Sequence, residues 1–166
     1  ANGLDHRYVD NVDTLAYIGH GAGDGFTFLT SDNDNKLTYL DAEQGNACGN
    51  KNLEFMALMS CQVLKEIHGG LLWNQRWGRV FNGLHLICGF QTNANTGEHQ
   101  MLSNFANNQY GNKMTILNSW LNAANLDQPE GREAVVMGPL INRSNINIYN
   151  SIESTLPNLN RAYWND

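Results

Sequence analysis

The sequence predicts an α/β domain built on a mainly parallel open sheet with helices on both faces. Three observations carry that prediction. The apolar runs Thr14 to Gly19, Leu53 to Met59 and Leu84 to Phe90 are continuous rather than alternating, as in strands covered on both faces. Later segments carry apolar residues at helical spacing, notably Met101, Leu102 and Phe105, then Ile116, Leu117, Trp120 and Leu121. Hydrophobic residues make up 42% of 166 residues, and a chain of this length buries about 70% of the surface it exposes when unfolded. One domain over 1–166 is therefore expected.

Taken in order, Thr14 to Gly19 is a buried strand ended by a glycine, which leaves His20 just past its C-terminal end. Gly21, Gly23 and Gly25 follow. The runs Phe26 to Thr30 and Lys36 to Tyr39, separated by Ser31-Asp32-Asn33-Asp34-Asn35, form a hairpin around an Asp/Asn turn. Leu53 to Met59 is a second central strand, and it runs out at Ser60-Cys61-Gln62. Trp73 to Phe81 is helical in part. Leu84 to Phe90 is a third buried strand, with Gln91 just beyond it. Glu98 to Tyr110 and Thr115 to Asn125 are helices, while Glu133 to Met137 and Asn145 to Tyr149 are late strands. From Ser151 to the end the Asn-rich composition predicts an irregular tail.

Only 16% of the residues are charged, so uncharged groups, Asn above all, must cover the polar surface. A net charge of −6 without any cluster of Lys or Arg argues against nucleic acid as a partner. No apolar run approaches the roughly 20 residues that span a bilayer, which argues against a membrane partner. The sequence begins at Ala1 rather than Met, so removal of a front segment is expected. Together with the low-charge surface and the sequon Asn142-Arg143-Ser144, this points to a secreted, processed protein. Three cysteines, Cys48, Cys61 and Cys88, are too few for a disulfide framework and leave at least one thiol free.

The chemistry gathers at two strand tips. Ligands of open α/β sheets bind at the carboxyl ends of the strands, where His20 and Cys61 fall. An imidazole and a thiol are the groups that nucleophilic acyl transfer needs, the sulfur to attack and the histidine to manage protons. Gly21 has no side chain to obstruct a substrate carbonyl, and its N–H with that of Cys61 makes a candidate oxyanion hole. Gln62 and Gln91, at or just beyond strand ends, are candidate cleft-lining residues.

Tyr17-Ile18-Gly19-His20-Gly21 followed by Leu58-Met59-Ser60-Cys61-Gln62 resembles the two sequence blocks of the clan CD cysteine peptidases, the group of caspases, legumains, clostripains and gingipains. In that group each catalytic residue follows an apolar strand, as His-Gly and as Ala-Cys or Ser-Cys, with a small hairpin between them. The match runs from about Asp10 to Phe90, half of the chain, and is closer to microbial caspase-like families than to caspases themselves. The resemblance implies a caspase-like fold and hydrolysis of peptide bonds in a peptide or protein substrate. Cys61 would carry the acyl group, His20 would be the acid and base, and no cofactor would be needed. The thirteen residues before Thr14 are too few for the further strand and crossover helix that the family places ahead of its His-Gly strand. The sheet is therefore expected to lack N-terminal strands, or to complete its open edge with another chain or a fragment of the same precursor. No residue fixes a specificity pocket, which leaves Asp, Asn, Lys and Arg open as preferred substrate residues.

Against the enzyme stands a non-catalytic binding or assembly module of the same fold, because a Cys after an apolar strand is commonly just buried and fold does not fix function. Other ligand sites are weaker. Asp32, Asp34 and Glu43 sit at calcium-loop spacing, but Lys36 and Leu37 occupy positions that want an oxygen ligand and a glycine, so a solvated turn explains them better. The glycines from Gly19 to Gly25 lead into a strand, where a phosphate loop requires a helix N-terminus. His6, His68, His85 and His99 lack metal-ligand spacing. Trp73, Trp77 and Trp120 read as core residues before they read as a carbohydrate platform.

Overall fold

The computed structural model describes residues 11–27, 36–43, 52–81, 84–97, 100–139 and 159–163. Its centre is a five-stranded sheet of β1 (Thr14–Gly19), β5 (Phe55–Ser60), β8 (Leu86–Phe90), β9 (Ala134–Pro139) and β10 (Leu159–Tyr163), in that spatial order. A small antiparallel sheet of β2 (Gly21–Ala22), β3 (Gly25–Thr27) and β4 (Lys36–Thr38), followed by the short helix α1 (Tyr39–Glu43), stands between β1 and β5 in the chain. A hairpin of β6 (Ile67–His68) and β7 (Leu71–Leu72) follows β5, then α2 (Trp73–Trp77) and a 3₁₀ turn at Gly78–Val80. Helices α3 (Gln100–Tyr110) and α4 (Ile116–Asp127) connect β8 to β9.

The alternation of side chains explains why both faces are covered. Phe55, Ala57 and Met59 of β5 point to the face that packs on Met101, Phe105, Ile116 and Trp120 of α3 and α4. Met56 and Leu58 point the other way, into a cluster with Phe26, Val63, Leu64, Trp77 and Phe81. Every residue of β5 and β8 is buried, as continuous apolar runs require. Two indoles also cap backbone groups that burial would otherwise leave unsatisfied: Trp77 Nε1 donates to the Val63 carbonyl at 3.0 Å and Trp120 Nε1 to that of Gly89 at 3.2 Å. These tryptophans are core residues.

α4 starts at Thr115, whose Oγ1 accepts the Asn118 N–H at 3.2 Å, a capping arrangement the sequence favours. Asparagine works inside as well as outside. Asn108 is buried and bonds Asn122 Oδ1 at 3.0 Å, tying α3 to α4.

The mixed α/β class, the positions of the three apolar strands, the first hairpin and the helices agree with the sequence reading. β1, expected to be buried on both faces, has no fully buried residue, because among the described residues it lies at the edge of the sheet. The sheet is less uniform than expected. β1, β5 and β8 pair in parallel, but β9 pairs antiparallel with β8, and β10 antiparallel with β9. Leu159–Tyr163 is a strand, where an irregular tail was expected from Ser151 onward; pairing along β9 supplies the order that its composition does not. Asn145 to Tyr149, Cys48, Asp32 and Asp34 lie outside the described residues. Among the described residues β1 pairs only with β5 and forms one edge of the sheet. No helix among them is long and apolar enough to cross a membrane.

Candidate active site at the strand tips

β1 and β5 run side by side in parallel with Ile18 opposite Met59 and Gly19 opposite Ser60. One step further along both strands come His20 and Cys61, so the two predicted residues leave adjacent strands, about 4.8 Å apart, at the same rim. The residues just before them share a face: Ile18 and Met59 both join the cluster formed with α3 and α4. His20 is exposed and Cys61 half-buried. The Cys61 thiol is free and donates to the Ala94 carbonyl at 3.6 Å.

Gly21 holds the two tips together. A Cβ on Gly21 would stand 1.9 Å from Ser60 Oγ and 3.0 Å from the Cys61 carbonyl oxygen, so the His-Gly backbone lies directly on the Ser-Cys backbone. The Thr27 N–H donates to the His20 carbonyl at 2.9 Å, and in the register that pairs Gly21 with Phe26 this ladder bond flanks Gly21. The Gly21 N–H therefore faces away from β3. Tyr17 braces the approach from below: its ring packs on Phe26 with centroids 4.7 Å apart, and its hydroxyl donates to the Thr27 carbonyl. Burial pushes the Tyr17 hydroxyl pKa up, partly countered by that bond. In the adjoining turn, burial raises the Asp24 carboxyl, but a 2.5 Å ion pair with Lys36 outweighs it and holds the group below the usual range.

Beyond Cys61 the chain turns sharply. Gln62 has φ +55°, a left-handed conformation uncommon outside glycine, and its N–H donates to the Thr92 carbonyl at 2.8 Å. Its side-chain amide donates to Asn93 Oδ1 at 3.0 Å. Gln91 Nε2 donates to Glu133 Oε2 at 2.5 Å, and the Glu133 N–H to Thr92 Oγ1 at 2.8 Å. These residues wall an open cleft of about 530 Å³, with Lys65, Glu66, Ile67 and Arg132 completing it. Gln62 and Gln91 both line this cleft, whereas His20, Gly21 and Cys61 are not among its lining residues. Arg132 Nε is buried in the wall without a hydrogen-bond partner among the described residues.

His85 precedes β8 at the opposite end of that strand from Gln91, beside Phe55, with ring centroids 6.0 Å apart; it does not share the rim of His20 and Cys61. For Glu43 only the backbone, in α1, is described. No group of three or more His, Cys, Asp or Glu that could hold a metal occurs among the described residues.

Arg132 and Glu133 were missed, and the reason is directional. In a parallel sheet the start of β9 would lie at the far rim; because β9 runs antiparallel to β8, with Phe90 opposite Ala134, its first residues return to the rim that carries Cys61. The hairpin of β6 and β7 was missed despite a usable signal. Gly69 and Gly70, with φ +59° and +80°, are the two positive-φ residues that a tight hairpin demands between the short strands Ile67–His68 and Leu71–Leu72.

Residues 1–164 match a family model described as a domain of unknown function (DUF6345). No curated protein and no solved structure matches the chain.

Proposed function

The chain belongs to the DUF6345 family, a domain of unknown function, and on that premise we propose that it is a cysteine peptidase of caspase-like fold with His20 and Cys61 as its dyad. The observation that carries this reading is the register of β1 and β5: Gly19 opposite Ser60 puts the imidazole and the thiol next in line on neighbouring parallel strands. The contact of Gly21 with Ser60 and Cys61 supports it from the backbone side.

In the proposed reaction His20 takes the proton of the Cys61 thiol, and the thiolate attacks the scissile carbonyl carbon. The developing oxyanion accepts hydrogen bonds from the N–H groups of Gly21 and Cys61. His20 then gives the proton to the leaving amine as the C–N bond breaks, leaving a thioester on Cys61. Water, deprotonated by His20, cleaves the thioester and restores the thiol. Gln62 and Gln91 wall the neighbouring cleft, which receives part of the peptide.

The test is cleavage of a mixed peptide library by the parent protein and by Cys61→Ala and His20→Ala. Loss of about a thousandfold or more in each variant is expected, as for nucleophile and base removal elsewhere. A Cys61→Ala protein as fast as its parent would end the proposal.

A second reading, a non-catalytic binding or assembly module, has one observation in its favour. The Cys61 thiol donates to the Ala94 carbonyl, a bond that only the protonated sulfur can make. Under that reading the edge of β1 is where another chain adds a strand.

A further inference from the structure

We infer that Gln128 is a positioning residue for Cys61: it clamps the loop whose Ala94 carbonyl takes the thiol's hydrogen bond, and so sets a resting state in which the sulfur keeps its proton. The inference deepens the peptidase reading and, for its role in cleavage, rests on it.

Four consecutive residues, Thr92 to Asn95, are held against the turn that leaves Cys61 or against the end of α4. The Gln62 N–H donates to the Thr92 carbonyl at 2.8 Å, and the Gln62 side-chain amide to Asn93 Oδ1 at 3.0 Å. The Cys61 thiol donates to the Ala94 carbonyl at 3.6 Å. Asn95 belongs to Gln128, the residue that caps α4. Gln128 accepts the Asn95 N–H on Oε1 at 2.8 Å and donates from Nε2 to the Asn95 carbonyl at 3.2 Å. One side-chain amide thus pairs both backbone groups of one residue, as a neighbouring strand would. Gln128 is 7% exposed, and its own N–H donates to the Ala124 carbonyl at 2.8 Å, which ties the clamp to the last turn of the helix. Ala94 is buried in the cluster of α3 and α4.

Relative strengths decide which partner places which. A thiol is a weak donor, and at 3.6 Å it cannot hold a loop. Two amide bonds and a buried methyl can. The carbonyl therefore places the sulfur. Their bond exists only while the sulfur carries its proton, and a thiolate in the same position would face the lone pairs of the carbonyl oxygen. His20 consequently takes the proton once the sulfur has left Ala94. Because the neutral thiol is the poorer nucleophile, the clamp slows reaction at the empty site.

The experiment reads the S–H stretching band of Cys61 as the infrared difference between the parent and Cys61→Ala, in which the other two cysteines cancel. The parent is expected to show a band shifted below that of a free thiol. Gln128→Met keeps most of the side-chain volume and removes the amide. Read against its own double variant with Cys61→Ala, it is expected to return the band to the free-thiol frequency and to speed hydrogen exchange at the Asn95 N–H. Alkylation of Cys61 by iodoacetamide at neutral pH should rise about threefold or more. A merely structural role for Gln128 would speed exchange without moving the band. Gln128→Ala replaces Gln128→Met if methionine does not fit. A parent band at the free-thiol frequency, or none because the sulfur is already ionised, overturns the inference, as does a shifted band that survives loss of the Gln128 amide. Cleavage of the peptide library is measured beside these spectra. No cleavage with the band behaving as expected overturns the peptidase and keeps the clamp, whereas cleavage with a free-thiol band overturns the clamp and leaves the peptidase standing.

Discussion

Gly21 rests on Ser60 so closely that a methyl group at Gly21 would stand 1.9 Å from Ser60 Oγ. The Ser60 side chain is fully buried, and its hydroxyl has no hydrogen-bond partner among the described residues. Gly21→Ala is therefore expected to cost about 1–3 kcal/mol by overpacking, read as a lower urea midpoint at constant slope. Ser60→Ala removes an unpaired buried hydroxyl and should be neutral or slightly stabilising. With Oγ gone the nearest obstacles recede to 3.0 and 3.1 Å, so the double variant should recover more than about 0.5 kcal/mol of the loss. Strict additivity of the two changes would sink the packing account.

Cys61 and Cys88 should separate cleanly by alkylation. Cys61 is half-buried at the rim, whereas Cys88 is buried in the centre of the sheet with its thiol pushed far up by desolvation. Iodoacetamide on the native protein is expected to modify Cys61 and spare Cys88 until the protein is unfolded. Under the peptidase reading His20→Ala slows Cys61 modification near neutral pH. Mass spectrometry of peptic fragments reads both sites, and native labelling of Cys88 at the Cys61 rate would contradict the burial pattern.

Cys88 also fixes an alkaline limit. Its folded pKa is raised by burial, so above the ordinary thiol value of about 8.5 the unfolded chain releases a proton that the folded chain keeps. The unfolded state then binds fewer protons, and stability falls as pH rises. Urea unfolding between about pH 8 and 10 is expected to show this decline, and Cys88→Ala to flatten it even though the variant starts less stable from the small cavity it leaves. An unchanged slope in Cys88→Ala would assign the decline to other groups.

What the sequence disclosed follows from which forces are local. Continuous apolar runs announced β1, β5 and β8; in β5 and β8 burial on both faces leaves Ser60 as the one polar side chain. Their shared direction put His20 and Cys61 at one rim before any coordinates were needed. The direction of β9 is not local: Ala134 to Met137 is apolar whichever way it runs, and its antiparallel docking alone brings Arg132 and Glu133 to the cleft. Leu159–Tyr163 contains Asn160 and Arg161 and owes its strand state to pairing with β9. Asn108 shows the same limit in composition, since an Asn-rich sequence says polar surface while the α3–α4 contact uses one inside.

Arg76 shapes the lip of the cleft from below. It is 1% exposed, and its guanidinium donates to the Leu71 carbonyl at 2.5 Å and to the carbonyl of Lys65. It thereby staples the hairpin of β6 and β7 to the turn that leaves Cys61. Two backbone carbonyls in part-buried bonds lose a charged donor in Arg76→Gln, which is expected to cost about 2–4 kcal/mol. The loss should be local before it is global, because Ile67, Leu71 and Leu72 are largely exposed and offer the hairpin little packing of its own. Limited proteolysis should then cut the variant between Glu66 and Leu72 under conditions that leave the parent intact. Hydrogen exchange at Trp73, whose N–H donates to the Glu66 carbonyl at 2.9 Å, should accelerate with it, while Leu58, held inside β5, stays protected. Equal acceleration at Leu58 and Trp73 would mean that Arg76 stabilises the whole fold rather than this hairpin.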